Sequence, residues 1–319
     1  MTASASPSPD AVHTEGLSKT FQGRPAVSDL NLQVPAGEVF GLVGPDGAGK
    51  TTTFRLLCGL IRPDTGSIHI AGVDVIADPE SAKRRIGYLS QAFAQYTDLT
   101  VWENLEFVAG TYLVPDGEWQ ERANELLEAS RMTAFKSRLA GNLSGGMKQK
   151  LALSCTLLHR PEVLFLDEPT TGVDPVSRRD FWSILYDLPA QGVTIVLSTP
   201  YMDEAERCRR VAFMSQGRII ASGSPDELRE RTGGGILVFD TDNPRHARDV
   251  LAKRDDVLES ILFGDALHVL TAKPSESEPA LTDTLASAGI FVKSVLPSEP
   301  GLEDVFVHLA SNAINGGRT

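Results

Sequence analysis

Cysteine is scarce in this sequence: only Cys58, Cys155 and Cys208 occur, widely spaced and never as Cys-x-x-Cys. That argues against a disulfide framework and against thiolate metal or redox centres, and leaves reduced, mostly buried thiols in a cytosolic chain. Long apolar runs are missing as well. No stretch approaches the roughly 18 to 20 apolar residues that cross a bilayer, so work at a membrane would go through a partner. Positive charge is in deficit: 30 Lys and Arg stand against 42 Asp and Glu, a formal charge of −12. Nucleic acid, which rewards a basic surface, is therefore not expected as a partner. The opening residues, Met1 to Asp10, carry neither a basic nor a long apolar part and read as a disordered tail rather than a signal peptide. No internal repeat is found. What remains is a soluble, intracellular protein of 319 residues, 41% hydrophobic, enough for one large domain and one small one.

The most informative stretch is Gly44-Pro45-Asp46-Gly47-Ala48-Gly49-Lys50-Thr51-Thr52. It follows the apolar run Val39 to Val43 and precedes the helix-like run Thr53 to Leu57. Strand, glycine loop and helix together are the context in which a G-x-x-x-x-G-K-[ST] match signifies a phosphate cradle. Glycines let successive backbone N–H groups curl around an anion, and the helix starting near Lys50 turns its positive dipole end to the same place. Lys50 adds a mobile charge for the β- and γ-phosphates, and the Thr51 hydroxyl is a ligand for Mg²⁺.

Along the chain, Val12 to Val34 reads as short strand-like pieces, Ser67 to Gly72 as a half-buried strand and Ile86 to Gln91 as a strand ending on an amide. From about Thr100 to Arg160 the periodicity becomes helical: Val101 to Val108, Glu118 to Met132 and Met147 to His159. Val163 to Leu166 and Val193 to Ser198 are continuous apolar runs, as in parallel strands buried on both faces. Ser177 to Leu188 reads as a helix and Met202 to Arg209 as a short charged one. Thr232-Gly233-Gly234-Gly235 is the best domain boundary. Beyond it the order is strand (Ile236 to Phe239), helix (Pro244 to Arg254), strand (Leu258 to Phe263), strand (Ala266 to Thr271), helix (Glu278 to Ala288), strand (Phe291 to Val295) and helix (Leu302 to Ala310), a small ferredoxin-like α+β domain.

Two further stretches carry chemistry. Asp167 and Glu168 end a buried strand, where an open α/β sheet puts its ligand site. Hydrolysis of a phosphoanhydride needs a carboxylate to hold Mg²⁺, for which Asp167 is suited, and a base to orient the attacking water, for which Glu168 is suited. Leu143-Ser144-Gly145-Gly146 opens a helix and makes a second phosphate-binding N-terminus. A chain does not need two such sites for one γ-phosphate unless the second faces another molecule.

Cradle, strand-end Asp-Glu and Leu-Ser-Gly-Gly together resemble the ATP-binding cassette family over most of Val12 to Arg231. The resemblance implies an α/β fold: a P-loop NTPase core with an antiparallel β subdomain and a helical signature subdomain at about 93–160, within a domain spanning 12–232. The small α+β domain would cover 233–311, with tails at 1–11 and 312–319. It further implies ATP and Mg²⁺ as cofactors, with ATP held between two subunits. Phe21 looks like the aromatic that stacks on adenine. Gln91 resembles the amide that reaches metal and water and links the core to the helical subdomain. Gly44 to Thr52 would bind the chain's own ATP. Ser144, Gly145 and Gly146 would face the partner's γ-phosphate, and Asp174, in Gly172-Val173-Asp174-Pro175, would contact the opposite subunit.

Two positions depart from the family. Asp46 replaces the usual asparagine and adds negative charge near the phosphates. Pro200, in Leu197-Ser198-Thr199-Pro200-Tyr201-Met202-Asp203-Glu204-Ala205, stands where relatives carry a histidine that contacts the γ-phosphate. Proline offers neither a side-chain donor nor an N–H. The run from Pro200 to Glu206 and the ending Gly301 to Phe306 resemble the ATPase subunits of bacterial drug and antibiotic exporters. The expectation is a peripheral ATPase at the cytoplasmic face of the inner or plasma membrane, working with a second cassette subunit, identical or different, and a separate transmembrane permease. The alternative is a weakly hydrolysing regulatory subunit in an asymmetric pair. A P-loop kinase or GTPase would leave Leu143 to Gly146 unexplained and lacks a guanine-reading Asn-Lys-x-Asp.

Overall fold

The computed structural model of the chain describes residues 10–316. It divides into two compact units, Met1–Ile219 and Ile220–Thr319. Of the expected tails, Met1 to Pro9 and Gly317 to Thr319 lie outside the described residues; Asp10 and Ala11 open the first strand, and the last helix continues to Gly316.

The first unit begins with β1 (Asp10–Phe21) and β2 (Arg24–Pro35), an antiparallel hairpin. The sequence reading expected several short pieces here. The two strands are instead twelve residues each and run on through bulges, such as the register shift between Thr14 and Leu17. A bulge absorbs an extra residue and raises the local twist without ending the strand, which is why polar interruptions did not mark breaks. After β3 (Val39–Val43) and α1 (Lys50–Leu57), β4 (Thr65–Ile70) and β5 (Val73–Asp74) complete a sheet of order β2-β1-β4-β5. Then follow α2 (Pro79–Arg85), β6 (Ile86–Leu89), α3 (Val101–Tyr112), α4 (Glu118–Ala129), α5 (Gly145–Leu157), β7 (Val163–Asp167), α6 (Pro175–Tyr186), β8 (Thr194–Thr199), α7 (Met202–Ala205), β9 (Arg210–Ser215) and β10 (Arg218–Gly223), the strand within which the division at Ile219 falls.

The second sheet runs β10-β9-β3-β8-β7-β6, and β6, β7, β8, β3 and β9 are parallel neighbours. β3, β7 and β8 are buried at every residue, as the apolar runs Val39 to Val43, Val163 to Leu166 and Ile195 to Leu197 require. Phe54 of α1 meets Phe165 of β7 edge to face at 5.5 Å, fixing the helix that leaves the glycine loop on the strand that carries the carboxylates. Helix starts follow capping chemistry. Thr100 and Glu103 form a capping box at α3, Ser144 caps α5, and Asp174 accepts from Val176 and Ser177 to cap α6. The last two caps start α5 and α6 two residues earlier than periodicity alone suggested.

The second unit contains α8 (Pro225–Glu230), β11 (Gly235–Thr241), α9 (Pro244–Leu251), β12 (Glu259–Phe263), β13 (Ala266–Thr271), α10 (Pro274–Ser287), β14 (Val292–Ser298) and α11 (Leu302–Gly316). Its sheet order β12-β13-β11-β14, antiparallel throughout, is the split βαβ arrangement expected of a ferredoxin-like unit. Leu237, Phe239, Leu267 and Val269 pack with Ala247 and Leu251 of α9 and Leu281 and Leu285 of α10. α10 starts at Pro274, ahead of the expected Glu278, and runs through Pro279 at the loss of one backbone donor.

Candidate functional site

The glycine loop takes the form its sequence dictates. Gly49 caps α1 at φ 108, and a Cβ there would stand 2.4 Å from the Ala26 carbonyl oxygen, so only glycine fits. The loop borders a cavity of about 420 Å³ in the first unit, lined also by Gln91, Glu168, Thr171, Pro200 and Tyr201. Of the predicted cradle residues, Asp46, Gly47, Gly49, Lys50, Thr51 and Thr52 line it. Gly44 and Pro45 lie behind: their carbonyls accept from Lys50 Nζ at 2.8 and 3.1 Å. Ala48 is buried, its carbonyl taking the Gly217 N–H.

Lys50 is the centre of this cluster. It is 4% exposed, and its ammonium also lies 3.1 Å from Glu168 Oε1. Glu168, 8% exposed, takes the Gln91 amide on its other oxygen at 3.0 Å. Its backbone is left-handed at φ 48, with its N–H held by the Ser198 carbonyl and hydroxyl, both at 3.1 Å. A non-glycine residue held there stores about 1 to 3 kcal/mol of strain, of a kind that collects at functional sites. Asp167 is fully buried. It accepts from Thr51 Oγ1 at 3.1 Å, Ser198 Oγ at 2.6 Å and the Tyr88 hydroxyl at 3.3 Å. Burial beside Asp167 drives the Tyr88 phenol well above its ordinary range, so it stays a neutral donor.

The remaining predicted residues lie away from this cavity. Ser144 is exposed, and its hydroxyl accepts the Met147 N–H at 3.3 Å. Gly145 is exposed, while Gly146 is buried against α6: a Cβ on Gly146 would meet Ser177 Oγ at 2.3 Å and Val173 Cγ1 at 3.7 Å. Asp174 sits at the same contact, exposed, its carboxyl held below the ordinary range by the Ser177 and Val176 bonds. Lys150 of α5 meets Asp180 of α6 at 2.8 Å and locks the two helices. The structure thus joins the signature turn and the Asp174 loop into one exposed face and leaves both out of the cavity lining. Phe21 stands at the end of β1, 46% exposed under the Lys19 ammonium, and is not in the lining either.

Sequence reading missed four polar residues around the ends of β6, β7 and β8: Ser198, Tyr88, Thr171 and Glu204. Ser198 pairs in register with Asp167, a neighbourhood set by strand order, which no local pattern carries. Glu204, 1% exposed, receives the hydroxyls of Thr170 and, at 2.6 Å, Thr199. A buried carboxylate in a short charged helix was the one signal available. The three cysteines are free and buried, and burial pushes the Cys155 thiol up to about 12.

Comparison with known proteins agrees with this geometry. The family model described as ABC transporter matches residues 27–171. The daunorubicin/doxorubicin resistance ATP-binding protein DrrA of Streptomyces peucetius is 35% identical over 307 residues, covering 95% of this chain and 93% of that protein. This chain belongs to the ABC transporter family. The probable multidrug ABC transporter ATP-binding protein YbhF of Escherichia coli (strain K12) is 39% identical over 309 residues, 95% of this chain but 53% of that protein. Against that relative, the chain spans about half the length. A solved structure described as an ATP binding subunit of an ABC transporter superposes at a TM-score of 0.65 with 31% identity, over 70% of this chain and 93% of that one. Within the ABC transporter family, the fold described above is that of an ATP-binding subunit. Among the described residues no helix is long and apolar enough to cross a membrane.

Proposed function

We propose that this chain binds ATP with Mg²⁺ in the cavity, hydrolyses it once a second cassette closes the site, and drives efflux of a drug-like or lipophilic substrate through a separate membrane subunit. The observation that carries this reading is the convergence of Lys50, Thr51, Asp167, Glu168 and Gln91 in one hydrogen-bonded cluster. The donor set suits a hard cation. Thr51 and Asp167 present a hydroxyl and a carboxylate 3.1 Å apart, and the Gln91 amide lies beside Glu168. Among the described residues no group of three or more His, Cys, Asp or Glu could hold a metal by itself. That fits a cation that keeps waters and phosphate oxygens and takes few protein ligands. Mg²⁺ there would neutralise the phosphates and hold them for in-line attack.

The protein's own part follows from its contacts. Phosphate oxygens compete for the Lys50 ammonium and free Glu168 from its ion pair. Glu168 then accepts the proton of the attacking water, with Gln91 holding its second oxygen. Phe21 offers an exposed ring for adenine, and Ser144, Gly145, Gly146 and Asp174 form the face that closes the partner's ATP. The names of relatives, including multidrug, daunorubicin/doxorubicin resistance and Nod factor export, support an export role. One observation favours a second reading, a weakly hydrolysing subunit in an asymmetric pair: Pro200 lines the cavity and brings no donor. Turnover by the wild type that Glu168→Gln abolishes supports the hydrolytic reading. Negligible turnover rescued by Pro200→His, or only by a different cassette subunit, supports the second.

A further inference from the structure

Behind Pro200 lies a polar cluster that the hydrolytic reading leaves unused. β8 ends at Thr199, and its hydroxyl has two bonds: it accepts the Tyr201 N–H at 3.0 Å and donates to Glu204 at 2.6 Å. The same buried carboxylate takes the Thr170 hydroxyl, two residues after Glu168, and the Trp182 indole N–H at 3.5 Å. Arg178 of α6 completes the cluster. Its Nε lies 3.9 Å from Glu204, a terminal nitrogen lies 3.6 Å from Asp203, and its guanidinium sits 4.8 Å from the centre of the Tyr201 ring. One buried carboxylate therefore ties the segment that follows the catalytic Glu168 to the segment that carries Pro200 and Tyr201.

Such a cluster is costly to bury and holds its members in one geometry. What it holds is a tyrosine at the cavity: Tyr201 lines it together with Glu168, Gln91, Thr171 and Pro200. Proline fixes its own φ near −65°, which stiffens the chain immediately before Tyr201. The ring rests on Arg178, and a phenol is a hydrogen-bond donor, as the missing histidine would be. We propose that the Tyr201 hydroxyl donates to the γ-phosphate of ATP in place of a residue at 200, and that Glu204 and Arg178 are the positioning residues that hold it there. This rests on the hydrolytic reading above.

The test is steady-state ATP turnover of the full chain, with nucleotide affinity measured separately. Tyr201→Phe keeps the ring over Arg178 and removes only the hydroxyl. The expected result is a fall in kcat on the order of 10- to 100-fold, as for the loss of one donor to developing charge, with ATP affinity and melting temperature unchanged. Pro200→His in the Tyr201→Phe background is expected to restore most of the loss. Glu204→Gln should lower kcat with KM held, and Tyr201→Phe added to it should cost little more, since the two act through one group. Wild-type kcat in Tyr201→Phe overturns the proposal, as does a loss that Pro200→His does not relieve. A wild-type chain that turns over only after Pro200→His keeps the cavity catalytic and overturns the tyrosine. A chain inactive in every variant overturns the hydrolytic reading and the tyrosine with it.

Discussion

The cavity and the signature face are built on opposite principles. Around the cavity the polar groups are buried and multiply bonded: Lys50 has three partners, Asp167 three, and Glu168 three side chains (Lys50, Gln91 and Thr171) besides the Ser198 anchor on its N–H. On the face, Ser144, Gly145 and Asp174 are exposed, and the only buried member, Gly146, is held by packing on Ser177. Charges buried in a fixed arrangement are prepared to meet charge in the same molecule. Exposed cap residues on a rigid backbone are prepared to meet something delivered from outside. The difference is what the proposal requires, in which the two regions serve different ATP molecules.

The comparison is broken most severely at Glu168. Glu168→Gln is expected to lower turnover by roughly 10²- to 10⁴-fold while leaving ATP bound, read by a steady-state phosphate-release assay. Next in size is Lys50→Ala, which removes the cradle charge and strands Glu168, only 8% exposed, without its cation. Breaking a buried pair from one side costs about 3 to 5 kcal/mol, so both ATP binding and the denaturation midpoint should drop. Gly146→Ala acts on the other region. Its new Cβ would stand 2.3 Å from Ser177 Oγ, and overpacking of this kind costs about 1 to 3 kcal/mol. ATP-driven pairing should weaken while ATP binding by the single chain stays, and Ser177→Gly should restore pairing.

The smallest effect concerns the far end of the signature helix. His159 follows α5, stacks on Tyr112 at 3.7 Å and bonds the Ile86 carbonyl at 3.0 Å. Burial holds its imidazole below the ordinary 6.5, against the opposing pull of that bond. The folded chain then binds fewer protons than the unfolded chain below 6.5, and stability is lost as pH falls through that window. His159→Phe should keep the stack and flatten this part of the melting temperature profile. An unchanged slope would show that the histidine is not its source.

What the sequence made legible follows from how local the physics is. Gly44 to Thr52 was readable because loop, helix start and lysine lie within one continuous stretch. The ferredoxin-like order was readable because each element of the second unit carries its own period. Ser198 and Tyr88 were not, because they reach Asp167 through the pairing of β7 with β8 and of β6 with β7. Glu204 was hidden for the same reason: Thr170 and Trp182 lie 34 and 22 residues from it in the chain. The separation of Ser144 from the cavity was legible from redundancy, since one γ-phosphate does not need two helix N-termini, and the resemblance added which phosphate the second would meet.

The central claim is that one chain's cavity is closed by another chain's signature face, and complementation tests it directly. Two chains, both carrying Glu168→Gln so that ATP is not consumed, would be compared by light scattering with ATP. One has Lys50→Ala and a working face; the other has Ser144→Arg and a working cavity. Neither should pair alone, and the mixture should form ATP-dependent dimers through the one intact site. A mixture that scatters as the sum of its two components would contradict the account.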